Sequence, residues 1–397
     1  MWYRSGGRWG AGTLGTDPVV SGGRAWPGLL LPGLGHLLTG RWVHGLGMLG
    51  VDGLLLLAAA TSWRRLGGWW SDPPGGGQAV HLVIALLAWG GCAVVLWRAA
   101  VRRVWPTGRG PRWPVVAAVL DHPTGVLGVC GVTFLLVLAS LAPLLAPFDP
   151  NAVFVADRLG VPDGVCWMGT DRFGRDVYSR VLHGAWLSLL VGFLAVSIAA
   201  TMGTLIGATA AFAGGWVDRG LMFVTDGLIA LPKIVLLLAI VGLLRLSGPV
   251  GALLVIAVLG ATSWMGVARI VRGQMLSLKE QDFIQAARAL GLSSSRILLR
   301  HLIPNAAAPV IIYASLAVGG AMMAEASLSF LGLGMPPPTA TWGTMIADGK
   351  DSLRYAPHVA GFPGLAIIGA VMSFNLLGDG LRDVLDPRVG VSPRGRG

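Results

Sequence analysis

Asp226, Lys233 and Glu325 lie in or beside apolar stretches, where an ionised group is costly and ordinarily faces protein or water. Asp226 and Lys233 stand seven residues apart, one repeat of a helix face, with Pro232 beside the lysine. This predicts a kinked helix near a solute pathway, with both groups on one face. Glu325 falls toward the end of its own apolar stretch. The same residues allow a second chemistry, a proton-coupled carrier or membrane enzyme using Asp226 and Glu325. ATP binding by the chain itself would need Gly-x-x-x-x-Gly-Lys followed by Ser or Thr, so that backbone amides and the lysine surround the phosphates. The lysines are Lys233, Lys279 and Lys350, and none precedes Ser or Thr. His-Glu-x-x-His and Gly-x-Ser-x-Gly are absent, and Cys92, Cys130 and Cys166 form no Cys-x-x-Cys pair. No catalytic residue, metal site, disulfide framework or cofactor is expected.

The elements that must carry these residues follow from composition. Of 397 residues, 54% are hydrophobic and only 12% charged, against roughly a quarter charged in ordinary soluble domains. Windows of about 20 residues without interior charge are long enough to cross a bilayer. Hydropathy predicts spans near Val43–Ser62, Ala79–Trp97, Thr124–Ala146, Leu187–Ala213, Leu221–Leu244, Val250–Val271, Ala306–Leu333 and Val359–Leu381. The chain therefore reads as an all-α polytopic membrane protein. Its 60 glycines sit among Leu, Val and Ala, where small residues allow close helix packing. The stretch Pro27–Leu38 is too short to cross. The Gly- and Arg-rich Met1–Gly23 lacks an apolar core ending in a cleavage site, so the first spans are expected to remain in the mature chain.

Charge sets orientation. With the N-terminus inside, the inside segments hold nineteen Lys and Arg against nine outside, the asymmetry of short cytoplasmic loops. Both termini are thus expected in the cytoplasm. The net charge of +11 is explained by these loops and by anionic lipid, and no nucleic-acid partner is expected. A basic linker over 98–120 divides an N-terminal piece, 1–97, carrying about two spans, from a six-span body over 121–388, with a tail at 389–397. Asp52, and His36 with His44 eight residues on, have no assigned role in the N-terminal piece.

The most informative loop is Lys279–Asn305, KEQDFIQAARALGLSSSRILLRHLIPN. Phe283, Ala287 and Leu290 recur at i, i+4 and i+7, predicting an amphipathic helix over Glu280–Leu290 with these residues on one face. Gly291 stops it, Ser293–Ser295 can cap a second short helix, and Pro304 is expected to end that one before the next span. Small Ala286 and Ala287 suit docking into a groove of a soluble partner, and an interfacial helix meeting lipid is the alternative on spacing alone.

QAARALG with the downstream IPN at Ile303–Asn305 resembles the coupling signature of ABC-transporter permeases of the dipeptide/oligopeptide/nickel family. MGTDRFGRDVYSR (Met168–Arg180), AFAGGWVDR (Ala211–Arg219), AEASLSFLGLG (Ala324–Gly334) and FNLLGDGLRDVLDPR (Phe374–Arg388) resemble further blocks of that family, in its order. The resemblance implies an ABC importer permease core of six helices, here with about two extra N-terminal transmembrane helices. It also implies a second permease subunit in a heterodimer, two cytoplasmic ATPase subunits and an extracytoplasmic substrate-binding protein. It places the chain in a bacterial inner membrane and its solute among di- or oligopeptides or nickel chelates. The coupling loop, 273–305, would then carry ATPase closure to the spans through Glu280, Phe283, Gln285, Ala286, Ala287, Leu290, Gly291 and Pro304. Gln285 stands where many related permeases have Glu, which removes an ion pair but keeps a hydrogen-bonding amide. Asp171, Arg172, Arg175 and Asp176 belong to an external loop, Phe148–His183. That loop is expected either to meet the binding protein or to pair its charges internally. The second outer loop, Met335–Pro357, carries Asp348, Lys350, Asp351 and Arg354 and allows the same two readings.

Overall fold

A computed structural model describes residues 118–119, 122–153, 158–244, 246 and 248–385. The two N-terminal spans, nearly all of the basic linker and the 389–397 tail lie outside the described residues, as do Asp52, His36 and His44.

Helices run in the order α1 Pro123–Ser140, α2 Val177–Ala213, α3 Gly215–Ala230, α4 Lys233–Leu244, α5 Gly248–Ala261, α6 Trp264–Lys279, α7 Asp282–Ala289, α8 Ser294–Ile297, α9 Ile303–Phe330, α10 Trp342–Gly349 and α11 His358–Leu385. Among the described residues there are five helices, or merged helix runs, long and apolar enough to cross a membrane. The bent pair α3–α4 makes six if it is one span. These coincide with the six spans expected of the body, and α5 with α6 forms one of them over Gly248–Lys279.

Local chemistry sets the ends of these helices. Pro123 opens α1, where a missing N–H costs nothing. The Asp176 carboxylate caps α2 by accepting from the Ser179 N–H at 2.8 Å. Gly214, at φ 64°, ends α2 in a conformation that disfavours a side chain. Between α3 and α4 the chain turns by 88°. Pro232 lies at that break and holds Leu231 extended, at φ −79° and ψ 134°.

Apolar packing then gathers the helices. One buried cluster joins α2, α4, α5, α9, α10 and α11 through Leu189, Leu237, Leu259, Met322, Trp342 and Phe374. A second collects the ends of α2, α6 and α9 around Ala211, Met275 and Ala306. Gly203 and Gly207 bring α2 against α6 so closely that a side chain at either would strike the backbone of Trp264 or Ala268. Since α9 leaves the α7–α8 region and arrives near α10 after 28 residues, α7 and α10 mark opposite ends of the bundle.

Candidate functional site

At one end, α7 sits between α6 and α8. Asp282 in its first turn and Arg288 in its last both suit the helix dipole. Gly291, at φ 75°, closes it. Its N–H donates to the Arg288 carbonyl at 2.9 Å and that of Leu292 to the Ala287 carbonyl at 3.2 Å. Ile284 is fully buried and Ala287 nearly so, both in the cluster with Ala208 and Ala211 of α2 and with Met275 and Leu278 of α6. Phe283, Gln285, Ala286 and Leu290 are exposed, Leu290 at 80%.

The expected face is thus corrected. Of Phe283, Ala287 and Leu290 only Ala287 points inward, and the buried stripe is Ile284 with Ala287. Phe283 and Ile284 are adjacent and both apolar, so the sequence permits either stripe, and contact with α2 and α6 decides. The helix is also shorter than expected, because Glu280 caps the end of α6 and Gln281 the start of α7. Ser293 does stand at the cap of α8, without a side-chain capping bond. Pro304 does not terminate α8. A π-helical turn, Leu298–Leu302, carries the chain straight into α9, and Pro304 occupies its first turn, where proline is tolerated.

Contacts that no short motif announces tie this end together. Lys279 donates to the carbonyls of Ala211 and Phe212, the last turn of α2. Arg272 of α6 holds Asp218 of α3 through two hydrogen bonds, one of 2.7 Å. Arg269 reaches Asp226 at 2.6 Å, in a pair half open to solvent.

At the other end, Asp171 is buried at the start of the loop that leads into α2. It accepts from the N–H groups of Phe173 (2.8 Å) and Arg175 (2.9 Å) and from Arg175 Nε (2.7 Å). Arg175 also donates through Nη2 to Asp348 of α10 at 2.9 Å, and Arg172 through Nη2 to the same carboxylate at 2.8 Å. Buried Arg180 donates to the Pro150 carbonyl and stands 3.7 Å from Asp171 and 3.9 Å from Asp348. Four expected loop residues therefore have distinct places: Asp176 caps a helix, and Asp171, Arg172 and Arg175 build an ion network. The network is not internal to its loop, since Asp348 from the 335–357 loop completes it. That loop folds α10 through a capping box, in which the side chains of Thr341 and Thr344 satisfy each other's backbone N–H groups. In the first of these loops, 148–183, the N–H groups of Cys166 and Val165 hold the exposed Asp163 carboxyl below its usual range. Between α4, α5, the 330–339 loop and α10 lies a cleft of about 800 Å³.

The intramembrane residues are dispersed. The bend at Pro232 puts Asp226 on α3 and Lys233 at the start of α4, which corrects the expectation of one shared face. Lys233 Nζ donates to Ser263 Oγ at 2.9 Å, at the junction of α5 and α6. Glu325 is buried and accepts from Ser329 Oγ at 2.8 Å and Thr341 Oγ1 at 3.0 Å, fastening α9 to the cap of α10.

Residues 203–391 match the family of binding-protein-dependent transport system inner membrane components. The chain is also 44% identical over 259 residues to the glutathione transport system permease protein GsiD of Escherichia coli O6:K15:H31 (strain 536 / UPEC). That alignment covers 65% of this chain and 84% of the relative. Its counterparts in Shigella boydii serotype 4 (strain Sb227) and Shigella sonnei (strain Ss046) match to the same extent.

Proposed function

The chain belongs to the binding-protein-dependent inner-membrane permeases of ABC transporters, in the peptide/nickel family, and from that premise we propose that it forms one half of an import pathway for small peptides. A tripeptide of the glutathione type falls within that class, as do di- and oligopeptides. The partners in this reading are a second permease subunit, two cytoplasmic ATPases pressed on the α7 end, and a binding protein that arrives at the α10 end. Both termini lie in the cytoplasm.

The observation that carries the reading is the two-sidedness of α7. Ile284 and Ala287 lock one side into the ends of α2 and α6, while Phe283, Gln285, Ala286 and Leu290 leave the other open for a partner. Eight residues make a rod of about 12 Å, too short to stretch. A push from the partner is thus delivered to α6 and, through Lys279, to the last turn of α2. ATP-driven closure then rocks the bundle, so that solute received outside is released inside. Glu280 and Gly291 act as the stops at the two ends of the rod, and Pro304 starts the span that receives its motion.

The test is affinity purification of the tagged full chain from membranes, followed by identification of its companions and measurement of peptide-stimulated ATP hydrolysis. Co-purified hydrolases with the Walker lysine that this chain lacks, and loss of the peptide stimulation on Leu290→Asp, are expected. A complex with no nucleotide hydrolase contradicts the reading.

A further inference from the structure

We propose that the cleft beside α10 is a transit subsite for the carboxylate end of a small peptide. The inference rests on the permease reading above. Its observations are the shape, the walls and the charge of the cleft. A volume of about 800 Å³ lies within the range of small-molecule sites. Its lining combines the cations Arg172, Arg175, Arg180 and Lys350 with the apolar Val241, Leu254, Val255 and Met335. Such a cleft accepts a ligand with apolar side chains and an anionic end.

The cations are held in place without being fully neutralised. Arg172 and Arg175 lie 4.6 and 4.5 Å from the centre of the Phe173 ring, and Lys350 lies 5.2 Å from that of Phe330. Aromatic faces fix a cation while leaving its charge intact. The acids lining the cleft are Asp348 and Asp351, and buried Asp171 stands behind them. Among the described residues, four cations against three carboxylates leave one positive charge in excess. Arg172, with 43% of its side chain exposed, and Lys350 at the rim are the groups best placed to take up an added carboxylate. Arg175, which joins Asp171 to Asp348, is a positioning residue.

The experiment measures binding of trialanine and of trialanine amide to the full chain in nanodiscs, by calorimetry. The two probes differ only in the C-terminal charge. Trialanine is expected to bind at millimolar concentration and more weakly as salt rises. The amide, Arg172→Gln and Lys350→Gln should each weaken binding about tenfold, the scale of a lost charged hydrogen bond. Leu254→Trp, which fills the apolar side, should abolish binding of both probes. Nanodiscs of zwitterionic and of anionic lipid separate solute from headgroup: a peptide site binds in both, whereas binding only in zwitterionic lipid means that headgroups own the cleft and overturns the proposal. Equal binding of peptide and amide, no binding of either, or an Arg172→Gln effect confined to capture of an added binding protein also overturns it. ATPase co-purification reads the permease assignment independently, so the two can fail separately.

Discussion

Ile284 and Leu290 sit on one short helix with opposite tasks, one buried in the bundle and one open to a partner. Ile284→Ala should therefore lower stability by about 2–5 kcal/mol, the usual cost of an emptied core site. Phe283→Ala and Leu290→Asp should leave the thermal midpoint near that of the parent while breaking the link between hydrolysis and uptake. Thermal unfolding in detergent beside a vesicle uptake assay checks both. Gly291→Pro and Ala287→Trp belong to the first kind. Proline cannot adopt φ 75°, and an indole at the buried Ala287 must lift α7 from α6. Both should uncouple while insertion persists. Among the described residues, Glu325 is bonded to Ser329 and Thr341 rather than to a second titrating group. Glu325→Gln, which keeps an acceptor, should then retain most uptake, whereas Glu325→Leu leaves Thr341 without its partner and should impair it. A proton-coupled carrier would show the reverse, with Gln as damaging as Leu.

The clamp between α3 and α6 explains how the motion of α7 could spread. Arg272 and Asp218 are 54 positions apart in sequence, yet share two hydrogen bonds. Asp218→Arg should impair transport, and the exchange Asp218→Arg with Arg272→Asp should restore part of it, as uptake measured across the double-mutant cycle will report. Such a pair is not legible in sequence, because charge complementarity carries no register until two helices are packed. The same limit explains α7, where the adjacency of Phe283 and Ile284 leaves the buried stripe undecided. Signals that act within a few residues were legible: the stop at Gly291 and a break near Pro232. The sharpness of that break was not, and it separates Asp226 from Lys233. The Thr341/Thr344 capping pair was a readable start for α10, hidden by the expectation of a loop after Pro336, Pro337 and Pro338.

Across the described residues, hydrophobic length located five long apolar helices and the bent pair α3–α4, because the bilayer imposes one dimension on every crossing element. Side-chain networks at the two ends then distinguish them. The α7 helix, with Ile284 buried and Phe283 exposed, lies at one end and the Asp171–Arg175–Asp348 network at the other, across the length of α9. If the charge asymmetry of the loops sets orientation, an impermeant thiol reagent on intact cells should label a cysteine placed at Trp167, half exposed near the network, and spare one placed at Leu290. The most direct measurement of the central claim is photo-crosslinking from benzoylphenylalanine placed at Phe283 in native membranes. The account predicts an adduct with a separate nucleotide hydrolase that changes in yield when ATP is added. Adducts only with lipid or with an extracytoplasmic protein would contradict it.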